Sequence, residues 1–139
     1  MTSTDTTTTR THVWPTLRYR DAPAAIRFLV DAFGFEAAAV YEADGVVAHA
    51  ELRWPPGGGV MLGSVRDAGA DLHAAPGHAS IYVVTDEPDA LCARAKAAGA
   101  TIVRGPQDME YGSREFSARD PEGVVWSFGT YAGVPHSGA

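Results

Sequence analysis

Apolar and polar positions alternate in short runs along most of this chain, and twice the alternation gives way to a helical spacing. In the first half Ile26, Leu29, Val30 and Phe33 recur at i, i+3, i+4 and i+7, the apolar stripe of an amphipathic helix. Asp21 stands where a carboxylate accepts orphan backbone N–H groups, and Pro23 falls in the first turn, where its missing N–H does no harm. Gly34 suits a left-handed helix end. In the second half Leu91, Ala95 and Ala98 make a thinner stripe between Asp86, with Pro88 just after it, and Gly99. Runs at 13–19, 35–41, 46–54 and 59–64 predict strands around the first helix, and runs at 80–84, 100–104, 113–119 and 124–131 predict strands around the second. Asp44-Gly45, Pro55-Pro56-Gly57-Gly58 and Asp120-Pro121-Glu122-Gly123 read as turns. Within 46–54, His49, Glu51 and Arg53 share the polar face of an alternating strand, opposite Ala48, Ala50 and Leu52.

The two halves repeat one another at a fixed offset. Asp21 and Asp86, Pro23 and Pro88, Ala25 and Ala90, Ile26 and Leu91, Ala32 and Ala97, and Gly34 and Gly99 are each 65 residues apart. Each half is therefore a strand–helix–three-strand unit, and a duplicated unit fixes the architecture. The expected fold is α+β: two βαβββ repeats forming a curled mixed sheet. The expected layout is a Thr-rich tail at 1–11, one domain at 12–131, and a short tail at 132–139. Within the domain, repeat one spans about 12–65, a Gly/Ala/Pro linker about 65–77, and repeat two about 78–131. Neither tail has apolar surface to bury, so both are expected to stay disordered.

Composition narrows the function more than the fold. The chain has 139 residues and a formal net charge of -6, with no Lys/Arg cluster, so no nucleic-acid partner is expected. The tract at 2–9 lacks the apolar core of a signal peptide or membrane helix, so a cytoplasmic protein without membrane association is expected. A single cysteine, Cys92, allows no internal disulfide. No base lies beside it, so a packed, inert thiol is expected. No Ser/His/Asp constellation, phosphate-binding glycine loop or zinc-type cysteine spacing is present.

The duplicated βαβββ unit resembles the vicinal-oxygen-chelate, or glyoxalase/bleomycin-resistance/dioxygenase, superfamily. The most specific stretch runs Tyr111-Gly112-Ser113-Arg114-Glu115-Phe116 and then Asp120-Pro121-Glu122-Gly123 into an apolar strand ending Trp126-Ser127-Phe128. The resemblance covers 12–131. It implies sheets curled into a cup that holds a small molecule, and a homodimer, with the repeats paired within one chain or exchanged between two. Metal-dependent members place one ligand on the first and one on the last strand of each half, which projects here onto Trp14, Met61, Ser80 and Ser127. An indole N–H, a thioether and two neutral hydroxyls are poor ligands for a divalent ion. No metal or other cofactor is therefore expected, and the resemblance points to a bleomycin-resistance-like binder of a small, partly aromatic or apolar molecule.

Nine residues are candidates for contact with that ligand. Trp14 offers an aromatic wall, Met61 a flexible apolar side chain, and Ser80, Tyr82 and Ser127 the remainder of a cup. Trp126 and Phe128, alternating with Ser127, are expected in the core. Arg114 or its neighbour Glu115 could close over the pocket mouth; the plain alternative is a surface ion pair. His49, Glu51 and His78 are further candidates. They also supply the rival reading, a lyase or dioxygenase-like enzyme with a relocated metal site, provided the three converge. No catalytic residue is identified.

Overall fold

The computed structural model describes residues 10–66 and 73–135. The tract at 2–9, part of the linker (67–72) and the last four residues lie outside the described residues. The first repeat runs β1 (Thr16–Tyr19), α1 (Ala22–Phe28), a π-helical turn (Leu29–Phe33), β2 (Glu36–Ala43), β3 (Val46–Arg53) and β4 (Gly59–Ser64). The second runs β5 (Ser80–Val84), α2 (Pro88–Ala97), β6 (Thr101–Asp108), β7 (Arg114–Arg119) and β8 (Val125–Gly129). Each repeat forms a four-stranded mixed sheet, ordered β1-β4-β3-β2 and β5-β8-β7-β6, parallel only where its first strand meets its last. Thr16 pairs with Met61 and Ser80 with Val125, so the duplication extends to the register. The α+β architecture of two βαβββ repeats is as the sequence implies.

Local details follow from particular residues. Asp21 caps α1 by accepting the Ala24 N–H at 3.1 Å. The π-helical turn widens the spiral by one residue, which brings both Ala32 and Phe33 to the core. Val30, expected in the stripe, is only partly buried; the buried line is Ala22, Ala25, Leu29, Ala32 and Phe33. In the second repeat Glu87, not Asp86, occupies the cap position, and the helix starts at Pro88. Its buried side is Pro88, Leu91, Cys92 and Ala95, while Ala98 is exposed. Asp44 and Gly45 both take positive φ (54° and 80°), the geometry a two-residue hairpin turn demands. A bulge in β3 between the Val47 and His49 pairings reverses the alternation, so Val47 is buried and Ala48 is exposed, contrary to the simple two-face reading.

The two halves share one core. Phe33 packs on Trp126 and Phe128 with ring centroids at 5.6 and 4.7 Å, and Phe35 meets Trp126 at 5.5 Å. Tyr19, Leu29, Leu52, Phe116, Trp126 and Phe128 are fully buried in the same cluster. Burial of each such side chain is worth roughly 2–3 kcal/mol.

A buried carboxylate ties the halves together. Asp120, 5% exposed, accepts the Tyr19 hydroxyl of β1 at 2.6 Å and the Trp126 indole N–H at 3.1 Å on one oxygen. Its other oxygen accepts the backbone N–H groups of Glu122 and Val124 at 3.0 and 3.1 Å. Two residues on, Glu122 accepts the Arg20 and Asp21 N–H groups at 2.6 and 2.8 Å. The Asp-Pro-Glu-Gly turn of the second half thus anchors the strand-to-helix corner of the first.

Two outcomes follow. Asp120→Ala strands two buried donors and frees two backbone amides, so it is expected to lower the unfolding free energy by about 3 kcal/mol or more; a melting temperature within about 2 °C of wild type would contradict this. Burial, and then the charge and hydrogen bond of Asp120, push the Tyr19 pKa above the ordinary tyrosine range. Folding therefore favours its protonated form: the stabilisation is complete below the unfolded tyrosine pKa of about 10 and declines above it. Urea denaturation at increasing alkaline pH should show that decline, and Tyr19→Phe should make it shallower.

Candidate functional site

Each sheet uses one face for the shared core and leaves the other open. On β7, Phe116 and Ala118 point inward, so Glu115 and Ser117 point outward. On β8, Trp126 and Phe128 point inward and Ser127 outward; on β5, Val83 points inward and Ser80 and Tyr82 outward. Tyr82, Ser127 and Ser117 form one row across three strands, and the two serine hydroxyls share a 2.7 Å hydrogen bond.

This open face carries a hollow of about 530 Å³ lined by Ser80, Ile81, Tyr82, Tyr111, Glu115, Ser127 and Tyr131. Three half-exposed tyrosines wall it. Tyr82 donates to the Tyr131 carbonyl at 2.7 Å, and the Tyr131 N–H is held by the Ser113 hydroxyl at 3.1 Å. Tyr111 stands edge-on to Tyr131, with centroids 6.2 Å apart, and donates to Glu115 Oε2 at 2.8 Å. That bond, with lesser contributions from desolvation and the charge of Glu115, raises the Tyr111 pKa; burial does most to raise that of Tyr82. Both hydroxyls keep their protons at neutral pH and act as donors. Glu115 itself is only 4% exposed, and its other oxygen lies 3.6 Å from the Arg104 guanidinium.

Gly129 makes this packing possible. A Cβ there would lie 2.6 Å from Glu115 Cγ, 2.7 Å from the Tyr82 hydroxyl and 3.0 Å from Ser113 Oγ. The missing side chain is the space into which those three groups converge.

The open face of the first sheet is a separate place. Trp14 lies over Gly59, where a Cβ would come within 2.9 Å of its ring, and its indole N–H donates to the Thr11 carbonyl at 3.0 Å. Met61 pairs with Thr16 on one side and Glu51 on the other. A smaller hollow of about 190 Å³ includes Thr16, Arg18, His49, Met61 and His73. His49 stacks on Tyr41 and bonds to Glu51 at 2.9 Å.

The nine candidates therefore divide. Ser80, Tyr82 and Ser127 come together in the larger hollow; Trp14, Met61, His49 and Glu51 sit on the other sheet, and neither of these two hollows holds residues of both sets. Arg114 lies on the opposite side of β7 from Glu115. Its guanidinium is 3.1 Å from both Asp89 and Asp108, a surface ion-pair network outside the hollow. His78 is exposed in the turn before β5, its N–H on the Ala75 carbonyl. It does not join His49 and Glu51: among the described residues no three His, Cys, Asp or Glu side chains gather as metal ligands. The projected ligand positions do not fit a divalent ion either. The Trp14 indole is committed as a donor, Met61 presents a thioether, and Ser127 is bonded to Ser117.

Tyr111 and Tyr131 line the hollow without being among the nine candidates, and Glu115 lines its wall rather than its mouth. One signal was present: Glu115 shares the parity of Ser117 on a strand whose other face is Phe116 and Ala118. The tyrosines reach the hollow from segments flanking the strands, which periodicity does not place. Cys92 is buried, and desolvation raises its pKa, as suits an inert thiol.

Two four-stranded sheets in βαβββ order, each with one face on the shared core and the other open, define the class of fold. The Glyoxalase/Bleomycin resistance protein/Dioxygenase superfamily model matches residues 11–128, and the chain belongs to that superfamily. It is 34% identical to TioX from Micromonospora sp. ML1, covering 86% of this chain and 98% of that one with a TM-score of 0.73. An uncharacterized protein of Mycobacterium tuberculosis is 36% identical over 124 residues, 83% of this chain and 71% of its own length. A superfamily member from Sphaerobacter thermophilus shares the fold at 22% identity, with a TM-score of 0.66 over 86% of this chain and 97% of that one.

Gly129→Ala should force Glu115 and Tyr82 apart at a cost of about 1–3 kcal/mol. The expected result is a lower melting temperature with a perturbed tyrosine absorbance spectrum; an unchanged spectrum and melting temperature would show that the approach is not tight.

Proposed function

We propose that this protein binds, without metal and without covalent chemistry, a small, partly aromatic molecule on the open face of its second sheet. The observation that carries this reading is the 530 Å³ hollow walled by Tyr82, Tyr111 and Tyr131. It falls within the size range of small-molecule sites, and rigid aromatic rings supply contact area at low entropic cost. The chemistry of the lining agrees: hydroxyls that keep their protons and a carboxylate already hydrogen-bonded offer recognition, and no nucleophile with an adjacent base is among them. Sequestration is the mechanism this lining supports.

The open face of the first sheet, with Trp14 and Met61, completes the cup in our reading when two chains pair and exchange faces. One fact supports a homodimer: Val40, Tyr41 and Val46 expose apolar surface at the first sheet. Analytical ultracentrifugation should give twice the chain mass of 14.6 kDa. A monomer at micromolar concentration would confine the site to the second sheet.

Titration with a panel of flat aromatic compounds is expected to give saturable tyrosine and tryptophan quenching that Tyr111→Ala weakens about tenfold, the scale of one lost aromatic contact with its hydrogen bond. No saturable binding across the panel would refute the reading.

A further inference from the structure

We infer that the ligand carries a cationic nitrogen, and that the nitrogen seats on Glu115 Oε1 between the tyrosine rings. The inference rests on the reading of this hollow as the binding site. Glu115 is the one charged residue among the described residues that line it. Its two oxygens are not equally occupied. Oε2 accepts the Tyr111 hydroxyl at 2.8 Å, whereas among the described residues Oε1 takes no hydrogen bond and faces the Arg104 guanidinium as an ion-pair partner at 3.6 Å. Arg104 does not line the hollow, and its side chain is 41% exposed, so its charge at Glu115 is partly screened by solvent.

An ionised carboxylate only accepts hydrogen bonds. A flat ligand without a donor would exclude water from Oε1 and leave it unsatisfied, which costs about 1–3 kcal/mol or more for a charged group. A ligand with a protonated ring or exocyclic nitrogen supplies the missing hydrogen-bond donor and a positive charge nearer to Oε1 than the 3.6 Å of Arg104. Tyr82, Tyr111 and Tyr131 present the electron-rich surfaces that attract such a cation. An anionic ligand meets the carboxylate and is repelled.

Three ligands with one ring system separate these cases: the aminoacridine cation, neutral acridine and acridine carboxylate, titrated calorimetrically near neutral pH. The cation is expected to bind about tenfold or more tightly than acridine, the scale of one charge-assisted hydrogen bond, and the carboxylate most weakly. Glu115→Gln should abolish the preference, and Arg104→Met should enlarge it by removing the competing positive charge. The wild-type comparison needs no variant and so does not depend on either variant folding. Equal binding of cation and neutral ring, or a preference that survives Glu115→Gln, overturns the inference and leaves the proposed binding function standing. Failure of all three to bind overturns both.

Discussion

The structure depends on one buried carboxylate. Asp120 takes hydrogen bonds from Tyr19 in the first repeat and from Trp126 and two backbone amides in the second. A carboxylate 5% exposed is tolerable only because both oxygens are occupied, and that requirement orients everything near it. Trp126 is held by its indole nitrogen, its ring then packs on Phe33 and Phe35, and the π-helical turn delivers Phe33 to meet it. Glu122 in the same turn holds the first two amides after β1. The duplication makes two sheets; this turn makes them one body.

With the core faces committed to one another, the site can only be built on the faces left over. The second sheet's open face differs from the first in three respects. It has a glycine, Gly129, where β8 would otherwise carry a side chain, a carboxylate drawn in beside it, and tyrosines from the flanking segments folded over the edge. The first face carries Trp14, Met61 and a His49–Glu51 pair beside a hollow of only about 190 Å³. Repeats alike in register have thus diverged in the chemistry they present.

The fold was legible because duplication, caps and alternation agree with one another: the 65-residue offset, Asp21, Asp44-Gly45 and the Trp126/Phe128 parity all read true. The site was legible only in part. Ser80, Tyr82 and Ser127 follow from strand parity, whereas Tyr111 and Tyr131 are carried by turns whose direction depends on Ser113 and Gly129. The β3 bulge reversed Ala48, and helix α2 began one residue later than its counterpart would suggest, since neither leaves a periodic trace. The partners of Arg114 are not legible locally: Asp89 is 25 residues away on a helix, and Asp108 stands at the end of the neighbouring strand. The meaning of Asp120 was the largest omission: Asp-Pro-Glu-Gly announces a turn, and nothing local announces a tyrosine 101 residues away.

The proposed ligand is a flat molecule, and its proposed place is the second sheet, over Glu115 and among three tyrosines. Backbone amide shift mapping by NMR during titration with a flat aromatic cation addresses this residue by residue. The account predicts saturable shifts concentrated at Ser80, Tyr82, Tyr111, Glu115 and Ser127. Shifts confined to Thr16, His49, Glu51 and Met61, with the second sheet silent, would contradict it.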